Sequence, residues 1–475
     1  MPPPNERPRR KPTRLATLVL AAAFAGCAWS IARAAQTDQA EVKQLQGQIQ
    51  SIRQLSFKRP VPIVVRRPDE LRGILVAELK RDYTAEQLRA DGAAGAMLGL
   101  YPRGIDLEAA TVKLLESQIA GFYDPHTRQM IMVEGALKDG SSKGAAGFGA
   151  ERDLIGEMLL AHELTHALQD QNFALGGKLD SMRDDGDRAL ALKAVAEGDA
   201  TLAGFACVVG RMDNSIASLL TGSLDRLPAI FAAQAKGTPQ GIGQPLIFQY
   251  VQGARFVAEA YRRGGWAAVD KLYANPPKST QQIIDPTLYF DEPTPPAKVA
   301  LAGYQPILKG WKKVDRDVYG ELLLEIILRR NFGKNAPEVA LARRWAGDDL
   351  AVLVRGADVT ALWMVDFRDR ESAARFAALY APMLDRTLGA ATAHRVQTRA
   401  SAVLVVVGQG ARRFGELAPA VWKASTLGRA AAMPITGLQA RGGTPSRQPA
   451  PAHAGSRDGA ACVESTPRAA CALWR

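Results

Sequence analysis

His162-Glu163-Leu164-Thr165-His166 places two of the chain's five histidines four residues apart, with a glutamate directly after the first. On an α-helix the two imidazoles stand about 40° apart around the axis and about 6 Å apart along it, so one ion can take both. Glu163 is turned about 100° from His162, which leaves it beside the ion as a base rather than on it as a ligand. The chemistry open to such a trio is metal-assisted hydrolysis, in which the ion acidifies a water and the carboxylate takes the proton. The flanks Ile155, Met158, Leu159, Leu160, Leu164, Ala167 and Leu168 predict an apolar, Pro-free helix around the motif. Buried imidazoles in such a helix need an ion or hydrogen bonds to be tolerated.

A hydrolytic zinc site takes three protein ligands and keeps one corner for water. Glu197, in Ala194-Val195-Ala196-Glu197-Gly198-Asp199, lies 31 residues after His166. That distance suits a loop and an antiparallel return helix, and Gly198 removes a side chain where helices approach. Glu197 is therefore the expected third ligand, with Zn2+ as the cofactor. His126 is a weaker choice, because a polar turn residue beside Pro125 faces solvent. Asp170, one turn beyond His166, and Asp199 are candidates to hydrogen-bond the imidazole N–H groups from behind.

These residues need scaffolding from the rest of the chain. Val42, Leu45, Ile49, Ile52 and Leu55 form an apolar stripe that predicts a helical linker leading away from the N-terminus. Pro60–Val65 reads as a short strand, residues 69–100 as helical, and Leu107–Gln118 as a second helix. Ile119–Asp124 and Met130–Val133 flank a turn at Asp124-Pro125, which predicts a β-hairpin just before the metal helix. Gly- and Ser-rich residues 139–149 read as a loop, and Asp187 as an N-cap of the helix bearing Glu197. Residues 246–273 read as two helices split at Gly264-Gly265. After the Pro-rich stretch 291–296 come a helix near Val318–Arg330, strands Leu350–Val354 and Thr360–Phe367, a helix Glu371–Leu384 and a strand Ala402–Val407.

Net charge is +12 over 475 residues, which invites a nucleic-acid reading. Five of those charges lie in residues 1–34 and four in 428–475, leaving three for the rest. With no basic stripe interleaved with aromatics, nucleic acid is excluded as the expected partner. Arg7 to Arg14 followed by apolar Leu15–Ile31 reads as an export signal, with cleavage after Ala34. Gly26-Cys27 offers the alternative of lipid attachment at Cys27, which would tether the chain to a membrane. Cys207 reads as a buried small side chain, while Cys462 and Cys471 could pair in an oxidising compartment.

HELTHALQDQ followed by AVAEGDAT resembles the gluzincin group of zincin metallopeptidases, in particular exported bacterial members. GFYDP before the helix and Pro276–Tyr289 after it extend the resemblance to residues 60–290. It implies a zincin-like fold, His162, His166 and Glu197 as zinc ligands, Glu163 as general base, and a peptide or protein substrate. Three positions depart from that pattern: Thr201 stands where Asp is common, and Gln281 and Asp285 stand where Glu and His are common. Loss of that histidine would remove an oxyanion donor, with Tyr123 or Tyr289 as substitutes. The expected fold class is α+β. It comprises a signal (1–34), a helical linker (35–57), a mainly helical metallopeptidase domain with a small edge sheet (58–290), a smaller α+β domain (291–427) and a disordered tail (428–475). The expected function is an exported zinc peptidase; the alternative is a catalytically weak zinc-containing peptide-binding or envelope protein.

Overall fold

Leu45 and Ile49, one helical turn apart, are both buried, and Arg53, one turn further on, is as deeply buried as they are. They lie on α1 (Gln39–Arg53), the first element of a computed structural model that describes residues 39–116, 121–133, 149–226, 228 and 237–428. The export segment with Cys27 and Ala34, most of the 139–149 loop, and the tail with Cys462 and Cys471 lie outside the described residues. Within the described residues, no helix is long and apolar enough to cross a membrane. The α1 stripe that reads as a linker packs instead into the main core.

β1 (Ile63–Arg66) is followed by α2 (Pro68–Asp82), α3 (Ala85–Met97) and α4 (Leu107–Glu116). The single helix expected over 69–100 is broken at Thr84. Its hydroxyl accepts from the Gln87 amide at 3.1 Å, while the Gln87 side chain accepts from the Thr84 amide at 2.9 Å. This reciprocal cap satisfies two end groups and starts a new helix. β2 (Gly121–Asp124) and β3 (Gln129–Val133) form the expected hairpin, with Asp124 accepting from the His126 amide and the Thr127 hydroxyl in the turn. The sheet order is β1-β3-β2, with β1 parallel to β3, so among the described residues β2 is an edge strand.

Long helices follow: α5 (Gly149–Phe173), α6 (Leu175–Asp180), α7 (Gly186–Val209), α8 (Asn214–Ser223) and α9 (Gln240–Ala274), then short α10 (Thr280–Ile284) and α11 (Thr287–Phe290). α7 lies between α5 and α9, and glycines set both approaches. A Cβ at Gly198 would sit 2.3 Å from the Gly253 carbonyl oxygen on α9, and one at Gly204 would sit 2.7 Å from the Met158 carbonyl oxygen on α5. Gly198 thus serves the contact with α9, while Gly204 serves the contact with α5. Asp185, not Asp187, caps α7, accepting from the Arg188 amide at 3.1 Å. Asp187 is buried and accepts from the amide and hydroxyl of Thr280. α9 kinks at Gly264-Gly265, as the sequence predicts, with Gly265 at φ +63°.

β4 (Val299–Ala300), β5 (Lys312–Asp317), α12 (Gly320–Phe332), β6 (Trp345–Arg355), β7 (Asp358–Phe367), α13 (Arg370–Leu388), β8 (His394–Arg399), β9 (Ala402–Gly408), α14 (Phe414–Ala424) and β10 (Thr426–Leu427) complete the chain. Five strands make an antiparallel sheet in the order β5-β6-β7-β9-β8. Alternation divides its residues between two faces. Leu353, Leu362, Met364 and Leu404 pack with Leu417 and Val421 of α14. Val352, Trp363, Val365 and Val405 join a cluster that runs from Leu45 through the long helices to Val407. The architecture is α+β and mainly helical.

Candidate metal centre

α5 and α7 bring the His pair and Glu197 together. His162 Nε2 lies 3.1 Å from His166 Nε2 and 3.1 Å from Glu197 Oε2, and His166 Nε2 lies 3.5 Å from the same oxygen. Four ligands placed tetrahedrally at about 2.0–2.1 Å from zinc would be separated by about 3.3 Å, so these three atoms already have the spacing of one tetrahedral face. All three side chains are buried. Two facing Nε2 atoms and a carboxylate oxygen form a donor set that a cation satisfies completely. This buried His162–His166–Glu197 group could hold a metal ion, and it is the one such cluster of His, Cys, Asp and Glu among the described residues. Burial alone would raise the Glu197 carboxyl, but the two imidazoles outweigh it and hold the group at about 2.

Glu163 lies beside this cluster, 6% exposed, and its Oε2 accepts from the Tyr123 amide at 3.3 Å. That amide belongs to β2 and donates away from β3, so the outer edge of the strand faces α5. Burial pushes the Glu163 carboxyl up to about 8; His162 pulls it down and Glu197 pushes it further up. A cation at the neighbouring donors would favour the ionised form that a base requires. The Tyr250 ring stacks on His162 with centroids 6.0 Å apart, closing the apolar side of the site.

Behind His166 lies a chain of buried polar groups. His166 Nδ1 is 2.9 Å from Gln169 Oε1, and Gln169 Nε2 donates to the Ala196 carbonyl at 2.9 Å and to Asp199 Oδ2 at 3.1 Å. Asp199 also accepts from Arg53 Nε at 2.7 Å and from the Tyr273 hydroxyl at 2.8 Å. Arg53 reaches Asp270 at 2.6 Å and lies over the Trp266 ring. Asp199 therefore supports the imidazole through Gln169 rather than directly. Gln169, Arg53 and Tyr273 are absent from the sequence reading, although Arg53 continues the four-residue spacing of Leu45 and Ile49. A cation on that buried face was the available signal.

The remaining candidates sit elsewhere. Asp170 turns to the Tyr123 hydroxyl and Arg59, at 3.2 and 3.4 Å, and makes no bond to an imidazole. His126 is exposed in the hairpin turn, outside the donor cluster. The Tyr289 hydroxyl donates to the Asn275 carbonyl. Gln281 is buried between Glu321, the Trp345 carbonyl and Arg368, and Asp285 is exposed and bonded to Thr287. Thr280 of the same segment anchors to Asp187, ten residues and about 15 Å along α7 from Glu197. Thr201 follows Glu197 by one turn and is buried. Among known proteins, no family model, curated sequence or solved structure matches this chain.

Proposed function

We propose that the chain is a zinc-dependent hydrolase of gluzincin type that cleaves a peptide bond. The observation that carries this reading is the three-donor face at tetrahedral spacing with Glu163 beside it. When bound, zinc supplies Lewis acidity to a carbonyl and to water. Glu163 would take the proton of the attacking water and return it to the departing amine. The Tyr123 amide holds the carboxylate in position for this, and Gln169 fixes the tautomer and direction of His166. An extended substrate suits the outer edge of β2, where main-chain hydrogen bonds can add a strand beside Glu163. The positively charged and then apolar N-terminal segment supports export, with Cys27 as the alternative tether.

A second reading has one observation in its favour. The hydroxyls of Tyr123 and Tyr289 are both committed elsewhere, and Asp285 is exposed, so none of the three presents an oxyanion donor at the cluster. A zinc-containing peptide-binding protein with weak turnover would need none. Purified protein should contain close to one equivalent of zinc, lost when His162 and His166 both become alanine. Glu163→Gln should retain the metal and lose about 10³-fold or more in peptide hydrolysis. Peptide binding without cleavage in the wild type would favour the second reading. Unchanged hydrolysis in Glu163→Gln would remove the base from the proposal.

A further inference from the structure

A cavity of about 290 Å³ opens where the N-terminal ends of α7 and α9 meet β5, β6 and α2–α4. It shares no lining residue with the metal centre. Three carboxylates line it: Asp91 from α3, and Asp315 and Asp317 from β5. Asp317 Oδ1 accepts from the amides of Gly186 and Val318, and its Oδ2 receives no donor. Asp91 Oδ1 is buried without a hydrogen-bond partner, while the Asp91 and Asp315 carboxyls share a hydrogen bond with each other. The lining holds one cation, Arg183, whose guanidinium is paired with Asp180 at 3.2 Å. Lys313 and the Arg316 amide act on Asp315 from the strand itself, outside the lining.

Two phenols add an independent observation. Tyr319 is 6% exposed and lines the cavity, and its hydroxyl has no hydrogen-bond partner among the described residues. Half-buried Tyr101 lines the same space. Its ring is held by glycines on two helices: a Cβ at Gly95 would come within 2.5 Å of it, and one at Gly241 within 2.6 Å. A hydroxyl without a partner on so enclosed a residue as Tyr319, in a lining that also holds three acids, suits a polar guest. Leu88, Leu100 and Leu107 add an apolar leucine wall to the same lining.

We infer that this cavity binds a primary alkylammonium group, its nitrogen among Asp91, Asp315 and Asp317 and its methylenes against the leucine wall. An ammonium carries three donors and a positive charge, and the acids and phenols supply acceptors without a matching cation. The three carboxylates do not form a convergent metal shell of the kind seen at the His pair. Burial, followed by mutual repulsion, pushes Asp91 and Asp317 up to about 8, a penalty that a bound cation would relieve. The site does not depend on the metal reading.

Titration calorimetry on the full-length protein would use n-butylammonium, Nα-acetyl-lysine methylamide and the neutral isostere n-butanol. Saturable binding of the amines is expected, with butanol weaker by about tenfold or more, the loss of a charge-assisted contact. Tighter binding of butylammonium would identify a free amine as the guest, and tighter binding of the lysine derivative would identify a protein side chain. Asp91→Asn should weaken binding about tenfold. Tyr319→Phe removes only an unbonded hydroxyl, so it should keep the fold and the zinc content while weakening binding several-fold. Absence of amine binding by folded wild type, equal binding of butanol, or wild-type binding by both variants would overturn the inference.

Discussion

Asp199→Asn tests the support behind His166. The Asp199 carboxylate takes Arg53 at 2.7 and 3.2 Å, Gln169 at 3.1 Å and the Tyr273 hydroxyl at 2.8 Å, with both Arg53 and Asp199 fully buried. An asparagine keeps the shape but removes the charge and aims an N–H group at donors. Breaking a buried ion pair from one side costs about 3–5 kcal/mol, because the surviving charge is stranded. Asp270 keeps part of the Arg53 interaction and is partly solvated, so the low end, about 3 kcal/mol, is expected. Urea unfolding of the chelator-treated protein measures this directly. Arg53→Met and the double variant complete a thermodynamic cycle, in which the coupling should exceed about 1 kcal/mol. With Gln169 freed, His166 loses its fixed orientation, and zinc affinity should fall about tenfold in a chelator competition. A loss below about 1 kcal/mol with additive single variants would refute the argument that this buried pair holds the support behind His166 in place.

Two further outcomes follow from the packing and the buried acids. In Gly253→Ala the new Cβ would lie 2.1 Å from the Ala194 carbonyl oxygen, a backbone atom that cannot swing aside. A destabilisation of about 2–3 kcal/mol is expected, and a melting temperature within about 1 °C of wild type would contradict it. Glu321, 3% exposed, has its carboxyl pushed by burial up to about 7 against an ordinary 4.5, with the Gln281 hydrogen bond opposing the shift. The folded state therefore holds this proton more tightly than the unfolded chain. Its contribution is complete below pH 4.5 and is lost as pH rises through 7, at about 1.4 kcal/mol per pH unit between the two values. Wild type should thus lose a few kcal/mol relative to Glu321→Gln between pH 5 and 8.5, read from urea midpoints. A difference independent of pH would show that Glu321 is ionised in both states.

Legibility tracked how local each feature is. His162, Glu163 and His166 are related by helix geometry alone, so their common face could be read from a five-residue string. The hairpin at Asp124-Pro125 and the kink at Gly264-Gly265 were equally local. The buried strands β6, β7 and β9 announced themselves by apolar runs. β5 and β8 did not, because Lys312–Asp317 and His394–Arg399 are edge strands whose charged and polar residues break the apolar pattern.

By itself the sequence determined which side chains could grip an ion and which carboxylate stands next to them, since spacing on one helix fixes direction. Tertiary structure decided what lies behind and beside them. Arg53 reaches Asp199 across 146 residues, Gly198 meets Gly253 rather than α5, and Tyr319 lines one cavity with Asp91. Those juxtapositions come from how apolar faces pack and how closely backbones can approach, and no periodicity within one segment encodes them.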